Sequence, residues 1–286
     1  MFVVSLIART LDPATVDSLR NAWGGGGVLW LSPIEAAEFE IGAMPSNRWQ
    51  VWSDLQARGV DLVVQASGDR RKRVLIADMD STMIGQECLD ELAEVAGFGD
   101  QVKAITARAM NGELDFEAAI DERVALLEGV STDVIGQVLA ERITYTDGGA
   151  VLLRTMRAHG AYCALVSGGF TQFTEAVGNG LGFDMNRANV LLHAGGVLTG
   201  RVQKPVLGRE AKVAALEELI TRFDVSDADV LAVGDGANDL GMLTRAGLGV
   251  ALHAKPAVQE ACDVRINHCD LTALLYLQGY TRAQFV

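Results

Sequence analysis

Asp78 and Asp80 stand two residues apart in the run DMDST at 78–82, directly after four apolar residues, Val74-Leu75-Ile76-Ala77. An apolar run bounded by charge reads as a strand buried on both faces. Open parallel sheets bind ligands just beyond the carboxyl ends of their strands, so both carboxylates fall where such sheets do chemistry. Held close together they repel, and need a cation or a proton to coexist. The pairing suits a metal ion beside a nucleophile. A calcium-binding loop would want Gly at its sixth position and Glu at its twelfth, where this chain has Met83 and Leu89.

Three other places follow the same logic. Tyr162–Val166 runs into Ser167-Gly168-Gly169, which reads as the opening of a helix. There, backbone N–H groups and the Ser167 hydroxyl could face an anion; the alternative is a plain helix cap. Lys212 lies in the first turns of a helix beginning near Gly208, where a lone lysine is usually a surface charge. Val230–Val233 runs into GDGANDL at 234–240, placing Asp235, Asn238 and Asp239 after another buried strand. Carboxylates in glycine-rich loops are often only turn formers. Found in one chain, each at a strand end or the adjoining helix, these groups point to one site. Gly178, Gly180 and Gly182 close a helix instead of following a strand, which rules out a dinucleotide fingerprint.

The elements that must hold these residues alternate from residue 74 onward. Strands are expected at 74–77, 162–166, 190–193, 230–233 and 248–252, and helices at 148–159, 170–181, 209–223, 237–246 and 254–262. That order gives an α/β fold, a doubly wound parallel sheet with right-handed crossovers. AGGVLTGRV at 194–202 reads as a hairpin. Residues 85–142 carry almost no strand pattern and read as amphipathic helices, including 88–96, 102–110 and 116–127. They would form a lid over the site. Residues 1–70 read as a small α+β unit with short strands at 2–7, 28–31 and 61–64, and the basic run 70–73 as a solvated linker. The expected division is 1–70 for the small unit, 74–84 with 147–286 for the core, and 85–146 for the inserted cap.

With 286 residues, 49% of them hydrophobic and 21% charged, the composition is that of a soluble globular protein with a substantial core. A net charge of −13 argues against nucleic acid or an anionic membrane as partner. A phosphorylated ligand then requires local cations. Cys88, Cys163, Cys262 and Cys269 form no metal-like spacing, and MFVVSLIART is no signal segment; a reduced cytoplasmic protein is expected, with a homodimer left open.

DMDST, the Ser167 turn, Lys212 and GDGANDL together resemble the haloacid dehalogenase (HAD) superfamily of phosphotransferases, over roughly residues 74–280. Within the insertion, IGQECLDELAE at 84–94 and MNGELDFEAAIDERVALLEG at 110–129 resemble the cap of the phosphoserine phosphatase family. The resemblance implies a HAD-like Rossmannoid core and magnesium-dependent hydrolysis of O-phosphoserine, the last step of serine biosynthesis. It implies Asp78 as nucleophile and Asp80 as acid and base. Mg²⁺ would be held by Asp78, Asp235 and the backbone carbonyl of Asp80. Ser167, Gly168, Lys212 and Asn238 would bind the phosphoryl group, and Asp239 would orient Lys212 or a metal-bound water. Glu87 would meet the substrate ammonium and Arg123 its carboxylate, with Met110 and Phe116 shielding the site. Residues 1–70 are weakly similar to ligand-binding modules of the ACT type. Alternatives are transfer of the phosphoryl group to another amino-acid hydroxyl, hydrolysis of a different small phosphate, and a non-catalytic amino-acid sensor.

Overall fold

The computed structural model describes residues 1–110 and 113–286, the Met110 side chain excepted, so the shielding expected of Met110 lies outside the described residues. The first 66 residues run β1 (Phe2–Ile7), α1 (Pro13–Ala22), β2 (Leu29–Ser32), β3 (Ala36–Ile41), α2 (Arg48–Gln56) and β4 (Asp61–Ala66). This is the split β-α-β order, and its four antiparallel strands lie β2-β3-β1-β4. Side chains alternate across the sheet. Val4 and Leu6 face Val16, Leu19 and Leu55 of the two helices, while Ile7, Leu31, Ala36 and Val63 join the main core. The basic run is less solvated than its composition suggests. Arg70 grips the buried Glu38 with two bonds of 2.7 and 2.9 Å.

The chain continues through β5 (Val74–Ala77), helices α3 (Cys88–Ala96), α4 (Gly99–Met110), α5 (Phe116–Ala125), α6 (Asp133–Glu141) and α7 (Gly149–Ala158), then β6 (Tyr162–Phe170), α8 (Thr171–Leu181) and β7 (Met185–Asn189). A hairpin, β8 (Leu191–Ala194) and β9 (Val197–Val202), precedes α9 (Arg209–Phe223) and β10 (Val230–Gly234). Last come α10 (Leu240–Arg245), β11 (Leu248–Leu252), α11 (Pro256–Ala261), β12 (Val264–Ile266) and α12 (Ala273–Leu277). Six parallel strands lie in the order β12-β11-β10-β5-β6-β7. From β5 the chain winds outward through β6 and β7, then returns to the other side of β5 as β10. The winding reverses between β5 and β10, the place where doubly wound sheets open a crevice.

Both faces of this sheet are covered, which explains the unbroken apolar runs of its central strands. Leu75 and Ala77 face one layer together with Leu165, Leu231 and Val233. Val74 and Ile76 face the other, against Ala215, Leu216 and Leu219 of α9. Complete burial of a side chain such as Leu75 or Ile76, both 0% exposed, is worth roughly 1.5–3 kcal/mol.

Two expectations are corrected. The strand expected at 190–193 is not part of the parallel sheet; 191–194 form the first arm of the hairpin, and the sheet strand is β7, Met185–Asn189. An edge strand tolerates polar residues, and β7 has no apolar alternation to reveal it. Ser167-Gly168-Gly169 does not open a helix either. β6 continues through it to Phe170, with an irregular register against β7 between Val166 and Phe170, and the helix begins at Thr171. Parallel pairing of Phe170 with Asn189 carries the strand past the glycines.

Candidate active site

Because β5 ends at Ala77, Asp78 emerges at the crevice, where its backbone N–H donates to the Val233 carbonyl at 3.0 Å. Asp235 emerges beside it, directly after β10. Lys212, in the first turn of α9, is 1% exposed, with Nζ 2.7 Å from Asp78 Oδ1 and bonded also to Asp239 Oδ1. An ammonium so deep needs such partners. Burial pulls the Lys212 pKa down, but the charges of Asp78 and Asp239 outweigh it and the net shift is upward. This lysine belongs to the site, not to the surface.

One ammonium does not balance the carboxylates here. Burial raises Asp78 well above the ordinary carboxylate range despite Lys212. Asp235 is pushed up to about 6, by burial first and then by the charges of Asp239 and Glu87. Asp78, Asp235 and Asp239 each bring a carboxylate oxygen within 4.8 Å of the others. Asp239 is fully engaged: Oδ1 holds Lys212, and Oδ2 accepts from the N–H groups of Asp235 and Gly236 at 3.1 and 2.9 Å. Asp78 Oδ1 accepts from Met79 N–H and faces Lys212, and Asp235 Oδ1 accepts from the Thr82 hydroxyl at 3.1 Å. Among the described residues, Asp78 and Asp235 each keep one oxygen, Oδ2, with no such partner. Two spare carboxylate oxygens in an over-negative pocket fit a hard divalent cation.

The Asp80 carboxylate lies outside that cluster. Its Oδ1 accepts from Cys88 N–H, at the start of α3, at 3.1 Å. Its Oδ2 lies over Gly169, where a Cβ would stand 2.8 Å from it and 3.1 Å from Ser167 Oγ. A side chain at 169 would push the Asp80 carboxylate out of this position. Burial, then the charge of Glu87, raises the Asp80 pKa to about 7 against the opposing Cys88 hydrogen bond.

Asp78, Asp80 and Asp235 line a cavity of about 610 Å³, together with Glu87, Arg123, Ser167, Gly168 and Asn238; Lys212 and Asp239 lie outside its lining, Lys212 bonded to both Asp78 and Asp239. Its apolar side is Leu89 of α3 with Phe116 and Ile120 of α5. The Phe116 ring seats on two glycines, since a Cβ on Gly168 would come within 3.4 Å of it and one on Gly208 within 3.3 Å. Glu87 accepts from the Ser81 hydroxyl at 2.8 Å, and Ser81 has φ of +55°, a conformation that non-glycine residues rarely hold without local constraint. Arg123 donates Nε–H to the Ala119 carbonyl at 3.1 Å, and among the described residues no carboxylate lies within 4 Å of its guanidinium. Burial lowers its pKa against the pull of Asp90, Glu87 and Asp80. A cation and an anion therefore project from opposite ends of α3 and α5 into one cavity.

Three contributors carried no assigned role in the sequence. Thr82 holds Asp235, Gly169 makes room for Asp80, and Lys255 stands at the rim, its N–H donating to the Asp235 carbonyl at 3.2 Å. Lys255 precedes Pro256 at the start of α11, and a Pro at the first helical position is the pattern that could have marked it as a helix-capping residue near the site.

Residues 75–244 match the haloacid dehalogenase-like hydrolase family. The chain is 41% identical over 256 residues to a phosphoserine phosphatase of Streptomyces coelicolor, covering 88% of this chain and 62% of that protein. The chain thus spans less than two thirds of that relative's length. Among solved structures, a HAD family hydrolase of Salmonella enterica serovar Typhi superposes with TM-score 0.88 at 28% identity, over 96% of this chain and 97% of that one. A phosphoserine phosphatase holding a phospho-aspartyl intermediate analogue superposes with TM-score 0.67 at 37% identity, over 72% of this chain and 98% of that one.

Proposed function

The chain belongs to the haloacid dehalogenase-like hydrolases, and from that premise we propose that it hydrolyses O-phosphoserine to serine and phosphate with Mg²⁺. The observation that carries this reading is the pair Arg123 and Glu87, opposite charges lining the same cavity as Asp78, whose carboxylate is held by Lys212. An amino-acid zwitterion needs both charges, and a phosphate ester needs the other two groups.

Bound Mg²⁺, held by Asp78, Asp235 and the Asp80 backbone carbonyl, would neutralise charge on the phosphoryl group. The chain's own residues do the rest. Lys212, the Ser167 hydroxyl, the Gly168 N–H and Asn238 hold the phosphoryl oxygens. Asp78 attacks phosphorus, the bond from phosphorus to the serine oxygen breaks, and Asp80 gives its proton to that oxygen. Asp80 then takes a proton from the water that attacks the aspartyl phosphate, and Asp78 is freed. Residues 85–146 act as a lid inserted in a core of 74–84 and 147–286, with Phe116 sealing its edge and residues 1–70 a small unit that packs against that core through Ile7, Leu31, Ala36 and Val63. All four cysteines are free thiols, and among the described residues no helix is long and apolar enough to cross a membrane; we assign the reaction to the cytoplasm.

A phosphate-release assay on L-phosphoserine tests the reading. Turnover is expected with Mg²⁺, loss with EDTA, and recovery when Mg²⁺ is restored in excess; release indifferent to EDTA, or absent while other esters are cleaved, sinks it. Specificity has its own check. Arg123→Ala is expected to raise KM for O-phosphoserine about 10–100-fold, because the substrate carboxylate loses its charged partner, and KM for p-nitrophenyl phosphate by less than about threefold. Equal shifts for both esters would make Arg123 an ordinary lid residue.

A further inference from the structure

Asn189 ends β7 and does not line the cavity, yet it is only 2% exposed. Its amide donates to the Gly168 carbonyl at 2.8 Å and to the Leu207 carbonyl at 3.2 Å, and its Oδ1 accepts the Leu207 N–H at 2.6 Å. One buried side chain therefore ties together two backbone segments. The first carries Ser167 and Gly168. The second leads through Gly208 into α9, where Lys212 lies in the first turn.

The bond to Gly168 fixes a peptide plane. In a trans peptide the carbonyl and the following N–H point in opposite directions. With the Gly168 carbonyl held toward Asn189, the Gly169 N–H turns the other way and donates to Ser167 Oγ at 2.8 Å. Because Oγ is accepting there, its own hydrogen is left to donate into the cavity. On the other arm, Asn189 takes both polar groups of Leu207, as a neighbouring strand would, and so sets where α9 begins. We propose that Asn189 is a positioning residue for the phosphoryl-binding half of the site, fixing the Ser167–Gly168 donors relative to Lys212. The proposal deepens the phosphatase reading and rests on it for the substrate used below.

A merely structural asparagine would, on replacement, weaken both ends of the ligand site alike. A positioning residue for the phosphoryl half affects that half alone. Asn189→Asp keeps the volume but turns an oxygen toward two carbonyls; Asn189→Ser leaves room for water and serves where the first variant does not fold. For either folded variant, kcat/KM is expected to fall about 10–100-fold and the inhibition constant of orthovanadate to rise by a similar factor, while that of L-serine moves less than about twofold. An unchanged vanadate constant, or equal weakening of vanadate and serine, overturns the proposal. Should the wild type release no phosphate from O-phosphoserine, the substrate reading has failed. The vanadate comparison, run on p-nitrophenyl phosphate, still decides the role of Asn189.

Discussion

Asp78→Asn is expected to lower kcat for O-phosphoserine by at least about 10⁴-fold, since removing a nucleophile outright has effects of that size or larger. The substitution is nearly isosteric. The amide oxygen can still accept from Met79 N–H and Lys212, as Asp78 Oδ1 does, so the geometry survives while the proposed attacking group is gone. Stability should move the other way. Burial raises the folded-state pKa of Asp78, so above the unfolded value its ionised form costs folding free energy, and stability falls as pH rises through that window. A neutral amide escapes this cost. Without added metal, the Tm of the variant at pH 7 should equal or exceed that of the wild type. Phosphate release and thermal melting, measured together, check both halves. Turnover within tenfold of wild type would dismiss Asp78 as nucleophile, and a collapsed Tm would leave the lost activity to misfolding.

Burial decides which features of the fold and the site the sequence carries. β5 and β10 lie in the middle of a sheet covered on both faces, so their apolar runs are continuous and the carboxylates that end them stand out. Asp78 and Asp235 were legible for that reason. Lys212 was legible only through its company, because nothing local distinguishes a lysine 1% exposed from one in water. The sequence points to 190–193 instead of β7 because Asn186 and Arg187 interrupt any apolar pattern on this edge strand. β12, three residues long, is too short to produce a periodic pattern. The Ser167 turn shows in the sequence but reads as a helix start, since glycines after a strand usually mark its end. Asn189 was invisible for a different reason. Its bonds reach 21 and 18 residues away, to Gly168 and Leu207, and a single asparagine carries no local mark of such partners.

Asp80 has the more demanding of the proposed roles, because one carboxyl must first give a proton and then take one. A pKa of about 7 keeps a large share of the group protonated at neutral pH, enough to protonate a basic alkoxide, while leaving it able to accept from water afterward. At the ordinary carboxylate value it would be a poor donor at pH 7. Asp80→Asn keeps the acceptor for Cys88 N–H and removes only the proton traffic. With O-phosphoserine, whose leaving group is strongly basic, kcat should fall about 10²–10⁴-fold. p-Nitrophenolate departs without help, so the first step should survive with p-nitrophenyl phosphate while water attack on the intermediate stays slow. The variant should therefore release about one p-nitrophenolate per active site in a burst, followed by slow turnover. Equal losses on both esters, with no burst, would mean that Asp80 shapes the turn between β5 and α3 without handling protons, and the acid and base would have to be sought elsewhere in the cavity.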